Sequence, residues 1–213
     1  MYAIGHFGLG YLTGKGSSKV TKTKLNLPLL LIASVLPDAD LILQHFNSNL
    51  FMHRGPTHSI ITIAVFMIPA FALYRKEAFP YFIALLSHPL IGDLPTGGVE
   101  MLWPVSYHWF GNTIIPMGSL VDIAAELLLF AVMVAVMLKT GDLKKLLEPG
   151  THNLFLLIDG AAVLLPMFET SGAALPLLLV PASLFWLVLF LYSVIKDLLS
   201  KFNRRKAGVT GLG

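Results

Sequence analysis

No cysteine occurs among the 213 residues of the chain. This absence excludes disulfides, thiolate metal ligands and cysteine nucleophiles, so any bound metal must be held by histidine, aspartate or glutamate. Charge is also scarce, because charged residues make up 13% of the chain while hydrophobic residues make up 55% and the mean hydropathy is +0.75. Since a soluble domain needs more polar residues to cover its surface, the composition predicts an integral membrane protein.

Several motifs that carry common enzyme chemistries are also missing. There is no glycine-rich phosphate loop, no serine nucleophile elbow and no His-Glu-x-x-His pair, which argues against nucleotide hydrolysis, serine acyl transfer and zincin-type proteolysis. The sequence pI is near 9.1, but the cations are confined to a few loops, as is usual in a membrane protein, so no nucleic-acid partner is predicted. The N-terminal residues lack the charged region of a secretory signal, and we expect them to remain in the mature protein.

Six hydrophobic runs predict an all-α, polytopic bundle of six transmembrane helices, which makes the lipid bilayer the first expected partner. They cover residues 27–46, 58–74, 78–92, 119–138, 152–168 and 174–195. A shorter apolar stretch, residues 2–13, predicts a half-buried N-terminal helix, since it reaches little more than half of a hydrocarbon core about 30 Å thick. Together they form one predicted domain, residues 1–199, followed by a basic, flexible tail, residues 200–213.

The lysines and arginines are distributed unevenly between the two sides of this six-helix arrangement. Of the 15 basic residues, 14 fall in loops on one side, and Arg54 is the exception. Because positively charged loops stay in the cytoplasm, that side is predicted to be cytoplasmic. The prediction is therefore a multi-pass protein of the cell membrane, in which the polar residues near Arg54 face the extracytoplasmic side.

The most polar stretch, residues 53–59, reads His-Arg-Gly-Pro-Thr-His-Ser and directly precedes an apolar run. Pro56 suits the first turn of a helix, so the three residues after it are predicted to lie in that turn. The free N–H groups of such a turn favour an anion, and Arg54 adds a planar fork that suits phosphate or carboxylate. We expect Arg54 and Thr57 to bind a phosphate here. The alternative is a set of interfacial polar residues that only cap a helix.

Histidines and carboxylates from several parts of the chain are predicted to meet in the same outer layer. Ionisable groups at membrane depth are costly, by at least roughly 2.5–3.5 kcal/mol for Asp, so they tend to face the interior of a bundle and to have partners there. The candidate metal ligands are His6, Asp38, Asp40, His53, His58, His88, Asp93 and Glu126. Such ligands without sulfur suit Zn²⁺, with Mn²⁺ or Fe²⁺ as alternatives, and their number suits two or three ions.

The spacing of the first two acidic candidates leaves their roles open. Asp38 and Asp40 point about 200° apart on a regular helix, so they share an ion only if Pro37 breaks that helix. Otherwise one of the two carboxylates binds the metal while the other holds a histidine in position. The other three histidines are expected on the surface or in structural positions: His45, His108 and His152.

The later candidates depend on the local shape of their helices. His88 and Asp93 are five residues apart, which is not a same-face spacing, but Gly92 can end the helix or form a bulge that swings Asp93 back. Glu126 shares a helix face with Asp122 and is either a ligand or a general base. Asp122 itself either belongs to the site or is a carboxylate that caps the start of a helix.

A set of motifs in residues 1–126 occurs together in one known family. The set comprises His6, Pro37-Asp38-Ala39-Asp40, the stretch 53–59, Ser87-His88 with Asp93, and then Thr96, Gly98 and Leu102-Trp103-Pro104. Together these motifs resemble the YdjM-like family of membrane-bound metal-dependent hydrolases, although its bacterial members have His and Asp four residues apart in the third motif, where this chain has five. The family is distantly similar to zinc-dependent phospholipase C enzymes, which use a trinuclear site of His, Asp and Glu. The resemblance implies a reaction class and no particular substrate.

From these features the sequence predicts a metal-dependent hydrolase that acts on a phosphoester of a lipid at the outer leaflet. The expected catalytic residues are Arg54, Thr57 and Glu126. The alternative is a transporter of a divalent cation or of protons, because buried histidines and carboxylates also mark ion pathways. A transporter needs polar residues that continue to the cytoplasmic side, where spans two to four are apolar, and this favours the enzyme. A third alternative, a catalytically inactive interaction protein anchored in the membrane, leaves the ligands without a role, and no oligomeric state is predicted.

Overall fold

The computed structural model describes residues 1–44, 46–47, 52–168 and 175–210, and the regular elements within these ranges are helical. Their α-helices are α1 Ala3–Thr21, α2 Leu27–Val35, α3 Asp40–Leu43, α4 Ile60–Tyr74, α5 Phe79–Ser87, α6 Leu120–Thr140, α7 Asp142–Leu146, α8 Leu156–Phe168 and α9 Val180–Thr210. An isolated antiparallel bridge joins Val99 to Phe110. The prediction of an all-α protein is confirmed.

The central element is α1, which packs against α2, α5 and α6. It runs for 19 residues, and most of its first half is buried. A Cβ on Gly10 would lie 2.2 Å from the Ser34 Cβ, and one on Gly8 would lie 3.0 Å from the Leu129 Cβ. The glycines that interrupt the apolar run therefore let neighbouring helices approach closely. The prediction of a short helix over residues 2–13 is wrong in length, because the mostly polar residues 14–21 continue the helix.

Only two helices in the described ranges are long and apolar enough to cross a membrane, Leu120–Thr140 and Leu177–Arg204. The prediction of six such helices is therefore wrong. α4 has 15 residues and spans about 22 Å at 1.5 Å per residue, short of a hydrocarbon core of about 30 Å. The apolar helix of the fifth predicted span, Asn153–Pro166, is also shorter than a full span. The hydropathy of a run depends on its apolar residues and not on where a helix ends. It therefore overestimates the number of helices that are long enough to span a membrane.

Two of the predicted spans are interrupted at turns that contain proline. The span predicted over residues 27–46 divides around a 3₁₀ turn, Leu36–Ala39, in which Pro37 lacks the N–H that would continue an α-helix. α5 likewise ends and continues as a wider, π-helical turn, His88–Asp93, which contains Pro89. Both interruptions carry aspartate, so Asp38 and Asp93 lie where helices break and not along regular spans.

A cluster of aromatic rings fastens α9 to α1. Phe7, Trp186 and Phe190 are buried, and their ring centroids lie 5.1–5.8 Å apart. Edge and stacked contacts of this kind stabilise a core beyond the area that they bury. The cluster joins a candidate membrane helix to the helix that carries His6. α9 also continues to Thr210, so the domain boundary predicted at residue 199 falls inside a helix.

The opposite end of α1 is held by a buried carboxylate, that of Asp142 at the start of α7. It accepts hydrogen bonds from the Tyr11 hydroxyl at 2.9 Å, from Lys145 Nζ at 2.9 Å and from Lys15 Nζ. Burial by itself would raise the pKa of Asp142, but the bonds from Lys15, Lys145 and Tyr11 prevail and lower that pKa to about 2. Lys15 lies in α1 and Lys145 in α7, so basic residues of these two helices meet at one end of the molecule.

We expect Asp142→Asn to lower the free energy of unfolding by about 2 kcal/mol at pH 7, because two ammonium groups and a hydroxyl lose their charged acceptor. The folded-state pKa of about 2 lies below an unfolded value of roughly 3.9, so the stabilisation is complete above that value and is lost as the pH falls towards 2. In thermal unfolding of the detergent-purified protein, the difference in Tm between parent and variant should shrink from pH 7 to pH 3.

The control is Asp197→Asn, which removes the partner of one half-exposed lysine, Lys201. It should cost less than about 1 kcal/mol, as exposed pairs do. A difference in Tm for Asp142→Asn that is the same at both pH values would contradict the ion-pair account.

Candidate metal centre

The break after α2 gives its two carboxylates different neighbours. Asp38 lies in the 3₁₀ turn and faces the Nε2 atoms of His58 and His88 at 3.5 and 3.3 Å. Asp40 begins α3 and faces Nδ1 atoms instead, those of His53 at 2.9 Å and His58 at 3.1 Å. This is the arrangement in which one carboxylate is placed as a ligand and the other holds histidine rings in position.

The polar stretch before α4 is a tight turn and not the first turn of the helix itself. Pro56–His58 form a 3₁₀ turn, and α4 begins only at Ile60. Ser59 is its N-cap, and the Ser59 Oγ accepts hydrogen bonds from two backbone N–H groups of the first turn. The prediction of a helix start at Pro56 is therefore wrong, and the helix N-terminus is capped by its own serine.

The same serine ties down the long segment that follows α5. Ser59 Oγ lies 2.7 Å from the carbonyl oxygen of Trp103 and 3.1 Å from that of Met101. The backbone N–H of Glu100 also donates to the Arg54 carbonyl oxygen at 2.9 Å. The segment is thus fixed against the histidine-bearing turn, which places its buried Thr96 and Glu100 side chains near that turn.

The wide turn after α5 brings His88 and Asp93 together. In a π-helical turn residues five apart lie on the same face, and the His88 Nε2 lies 3.1 Å from the Asp93 Oδ2. The prediction that Asp93 swings back towards His88 is confirmed. Gly92 is required here for a different reason, because a Cβ at this position would lie 2.5 Å from the His6 ring.

Four side chains offer one ligand atom each within 4.8 Å of one another: Asp38, His58, His88 and Asp93. The four distances between an Nε2 atom and a carboxylate oxygen range from 3.1 to 3.5 Å. A tetrahedron with bonds of about 2.0–2.1 Å, as in zinc sites, has edges of about 3.3–3.4 Å. The spacing of the donors therefore fits a small divalent cation between them.

The tautomer of His88 is set by its other ring nitrogen. Nδ1 lies 2.7 Å from the Ser34 carbonyl oxygen, which can only accept, so Nδ1 carries the proton. The lone pair of the neutral ring then resides on Nε2, which faces the carboxylates. The His88 ring is therefore held in the tautomer that binds a metal through Nε2.

The tautomer of His58 is fixed in a similar way, through its Nδ1 atom. Thr57 Oγ1 donates its proton to Asp40 Oδ2 at 2.7 Å, so towards His58 Nδ1, 3.0 Å away, it can only accept. Nδ1 also lies 3.1 Å from the Asp40 carboxylate and is therefore the protonated nitrogen. The neutral His58 ring likewise presents an Nε2 lone pair to Asp38 and Asp93.

These donor atoms have no hydrogen bonds of their own. Within the described ranges, the His58 Nε2, the His88 Nε2 and the Asp93 Oδ2 are buried and make none. With both rings neutral, the two nitrogen lone pairs and the carboxylate oxygens repel one another in a buried site. A divalent cation between them would satisfy all four ligand atoms. The donor set contains nitrogen and oxygen only, which suits Zn²⁺ and also Mn²⁺ or Fe²⁺.

A second, smaller group adjoins the first. Asp40, His53 and His58 also offer ligand atoms within 4.8 Å of one another, so His58 belongs to both groups. His6 lies beside them, with its ring stacked on His88 at a centroid distance of 3.6 Å. Neither ring nitrogen of His6 has a hydrogen-bond partner in the described ranges, and its Nε2 lies 3.8 Å from Asp93 Oδ1.

The predicted phosphate-binding residues have protein partners at the edge of the groups. Arg54 adopts a left-handed backbone conformation, with φ of 65°, and its Nη2 donates to Asp93 Oδ1 at 3.1 Å and to Thr96 Oγ1 at 2.9 Å. Thr57 donates to Asp40. Arg54 and Thr57 thus hold two of the carboxylates in place.

Glu126 is not part of either group. Its Oε1 accepts a hydrogen bond from the Tyr2 backbone N–H at 2.6 Å, and its Oε2 has no hydrogen bond within the described ranges. The Glu126 carboxylate therefore holds the start of α1, four residues before His6. Asp122 accepts from the Gly118 backbone N–H at 2.9 Å and sits in the first turn of α6, as the helix-start alternative expects.

The three remaining histidines lie apart from these groups. His108 is exposed, and His152 contacts Asn26 at the lysine-rich end, while His45 falls outside the described ranges. The carbonyl of Ser34 is a functional group that the sequence could not reveal, because every residue has a backbone carbonyl. Buried Glu100 is a carboxylate that the motifs did not single out, although its negative charge in an apolar chain is a signal.

The part of the chain that carries this site is similar to proteins already known. The family described as YdjM inner membrane protein matches residues 1–147. The protein of Escherichia coli K12 named inner membrane protein YbcI is 33% identical over 121 residues, which cover 48% of this chain and 67% of YbcI. No solved structure matches the chain. All of the candidate ligands lie within the matched residues.

Replacing either His58 or His88 by alanine should at least halve the metal retained by the purified protein, as measured by inductively coupled plasma mass spectrometry. Each substitution removes one of four donors and leaves the facing carboxylates unpaired in a buried site, so thermal stability should also fall. His108→Ala removes an exposed histidine and should change neither quantity. Unchanged metal content in both site variants would mean that these rings are only packed.

Proposed function

We propose that this chain, which belongs to the YdjM family of inner membrane proteins, is a membrane-embedded metal-dependent hydrolase. The reaction would be hydrolysis of a phosphoester in a lipid, at a site that opens to the outer leaflet. The single observation that carries the proposal is the convergence of two Nε2 lone pairs and two carboxylate oxygens at tetrahedral spacing. A divalent ion bound there supplies Lewis-acid polarisation of a phosphoryl oxygen.

The exposure of the side chains indicates where a substrate would approach. His58 and His88 are fully buried, whereas the side chains of Asp38, His53 and Arg54 are 19%, 35% and 12% exposed. The groups are therefore closed on one side and open on the other. An open side distinguishes a catalytic site from a closed structural one and supports a role in chemistry.

Arg54 is the residue best placed to bind a phosphate. Its two hydrogen bonds to Asp93 and Thr96 use only Nη2, which leaves the N–H groups of Nη1 and Nε as further donors. Its charge also offsets part of the negative charge of the neighbouring carboxylates. We assign Arg54 to the phosphate of the substrate and Thr57 to the position of Asp40.

Glu126 is proposed as a positioning residue. Its bond to the Tyr2 N–H fixes the start of α1, and through α1 it fixes the His6 ring that stacks on His88. A general base would need to face the groups directly, as the side chains of Asp40 and His53 in the second group do. The proposed role of Glu126 is therefore to keep His6 in register.

A second candidate function is transport of a divalent cation or of protons. The observation that favours it is Asp159 in α8, which is fully buried and has no hydrogen bond to either oxygen within the described ranges. An unpaired carboxylate in an apolar helix is a common feature of ion pathways. Asp159 lies only six residues beyond Asn153, near the lysine-rich end, so it extends the ionisable groups along the molecule.

The substitution Arg54→Lys should lower kcat/KM for a phosphodiester substrate at least tenfold. A lysine keeps the charge but has a single nitrogen in place of the planar fork, so it cannot hold Asp93 and Thr96 through one nitrogen and bind a phosphate through others. Metal content should not change, because arginine cannot ligate a cation. Arg75→Lys, an exposed arginine far along the chain, is the matched control and should be neutral.

Two results would remove support for the hydrolase. One is full activity in Arg54→Lys. The other is a metal-loaded protein that hydrolyses no phosphoester but carries cations into liposomes, which would favour the transporter.

Orientation can be tested with single cysteines, because the chain has none of its own. With the site on the extracytoplasmic side, Thr113→Cys should react with an impermeant thiol reagent in intact cells, and Lys144→Cys should react only after lysis. Both positions are exposed. The reverse labelling pattern would place the metal groups on the cytoplasmic side.

A further inference from the structure

A second polar site lies at the lysine-rich end of α1. A cavity of about 530 Å³ opens there between the end of α1, the loop that leads to α2, the short helix α7 and residues 150–153. Its polar lining residues include Lys15, Lys24, Asn26, Asp142, Lys145 and His152. Lys15 lies nine residues after His6 on the same helix, roughly 13 Å along its axis at 1.5 Å per residue, so the cavity is separate from the metal groups.

The cavity carries an excess of positive charge. Three ammonium groups face it and only one carboxylate, that of Asp142, which leaves two positive charges in excess. Asp142 holds Lys15 and Lys145 in place through direct ion pairs. Lys24 forms no ion pair within the described ranges; Glu77 bonds its backbone N–H, and that exposed carboxylate does not line the cavity. Two of the three ammonium groups are therefore held by the buried Asp142 carboxylate, and the third, that of Lys24, is not.

His152 adds a neutral donor to this wall. Its Nδ1 lies 2.8 Å from Asn26 Nδ2, and because an amide NH₂ can only donate, Nδ1 is the acceptor. The proton of the neutral ring is therefore on Nε2. A histidine in this tautomer, together with the ammonium groups, provides donors without acceptors, which suits an anion with several oxygen atoms.

We propose that this cavity binds a phosphate group, supplied either by the headgroup of an anionic phospholipid or by free phosphate. Basic pockets of membrane proteins near the membrane surface commonly bind phosphorylated headgroups, and three lysines line this cavity. A phosphodiester bears one negative charge, and the two excess positive charges of the cavity are sufficient to neutralise it. The site is distinct from the proposed hydrolytic site and does not depend on it.

Native mass spectrometry of the detergent-purified protein tests the proposal. With added phosphatidylglycerol, the fraction of protein that retains one lipid should fall roughly fivefold in Lys24→Gln, as expected for the loss of one positive charge at a lipid site. In His152→Gln the same fraction should fall by a smaller factor. The control is Lys139→Gln, an exposed lysine at the same end that does not line the cavity, and it should retain lipid like the parent.

Two further arms identify the source of the phosphate. Phosphatidylcholine, which is zwitterionic, should be retained less than phosphatidylglycerol, and inorganic phosphate at millimolar concentration should displace the lipid if both use the same donors. Phosphate that raises the Tm of the parent but not of Lys24→Gln, without any retained lipid, would support the free ion as the ligand. Retention of lipid that is equal in Lys24→Gln, Lys139→Gln and the parent, with no effect of phosphate on any of them, would overturn the proposal.

Discussion

Two imidazole nitrogens and two carboxylate oxygens meet at 3.1–3.5 Å, and within the described ranges neither nitrogen makes a hydrogen bond. With both rings neutral, such an arrangement is repulsive in a buried site, and a cation between the donors would remove the repulsion. The neighbouring groups all serve to maintain it. The Ser34 carbonyl and Asp40 hold the two rings in one tautomer, and Arg54 holds Asp93. The strongest argument for a metal is thus the way the protein fixes the donors.

The same contact explains why several helices are short. Asp38 and Asp93 reach the rings only because the chain leaves the regular α-helical path at Leu36–Ala39 and at His88–Asp93. Each interruption costs backbone hydrogen bonds, which a membrane protein must replace within the protein. His88 does so in part, because its Nδ1 bonds the carbonyl oxygen of Ser34, just before the first interruption. Fewer full-length spans are therefore the structural consequence of building a polar site among apolar helices.

Much of the site could be predicted from the sequence, because its ligands are rare residue types in an apolar chain. Asp38, His58, His88 and Asp93 were all candidates, and the spacing of His88 and Asp93 already indicated either a helix end or a bulge at Gly92. The division of roles could not be predicted, since it depends on which carboxylate faces Nε2 and which faces Nδ1. The role of Ser34 was hidden because it acts through its backbone. The length of α1 was misjudged because only its apolar part, residues 2–13, was counted, whereas the helix continues through polar residues to Thr21. The number of spans was overestimated because hydropathy ignores where helices end.

The central claim is that Asp38, His58, His88 and Asp93 together hold one divalent ion. X-ray absorption at the zinc K-edge, on purified protein loaded with Zn²⁺, tests this most directly. The account predicts a first shell of nitrogen and oxygen donors at about 2.0–2.2 Å, with the multiple-scattering signature of two imidazole rings. Zinc that shows no imidazole scattering, or that washes away as fully hydrated ion, would contradict it.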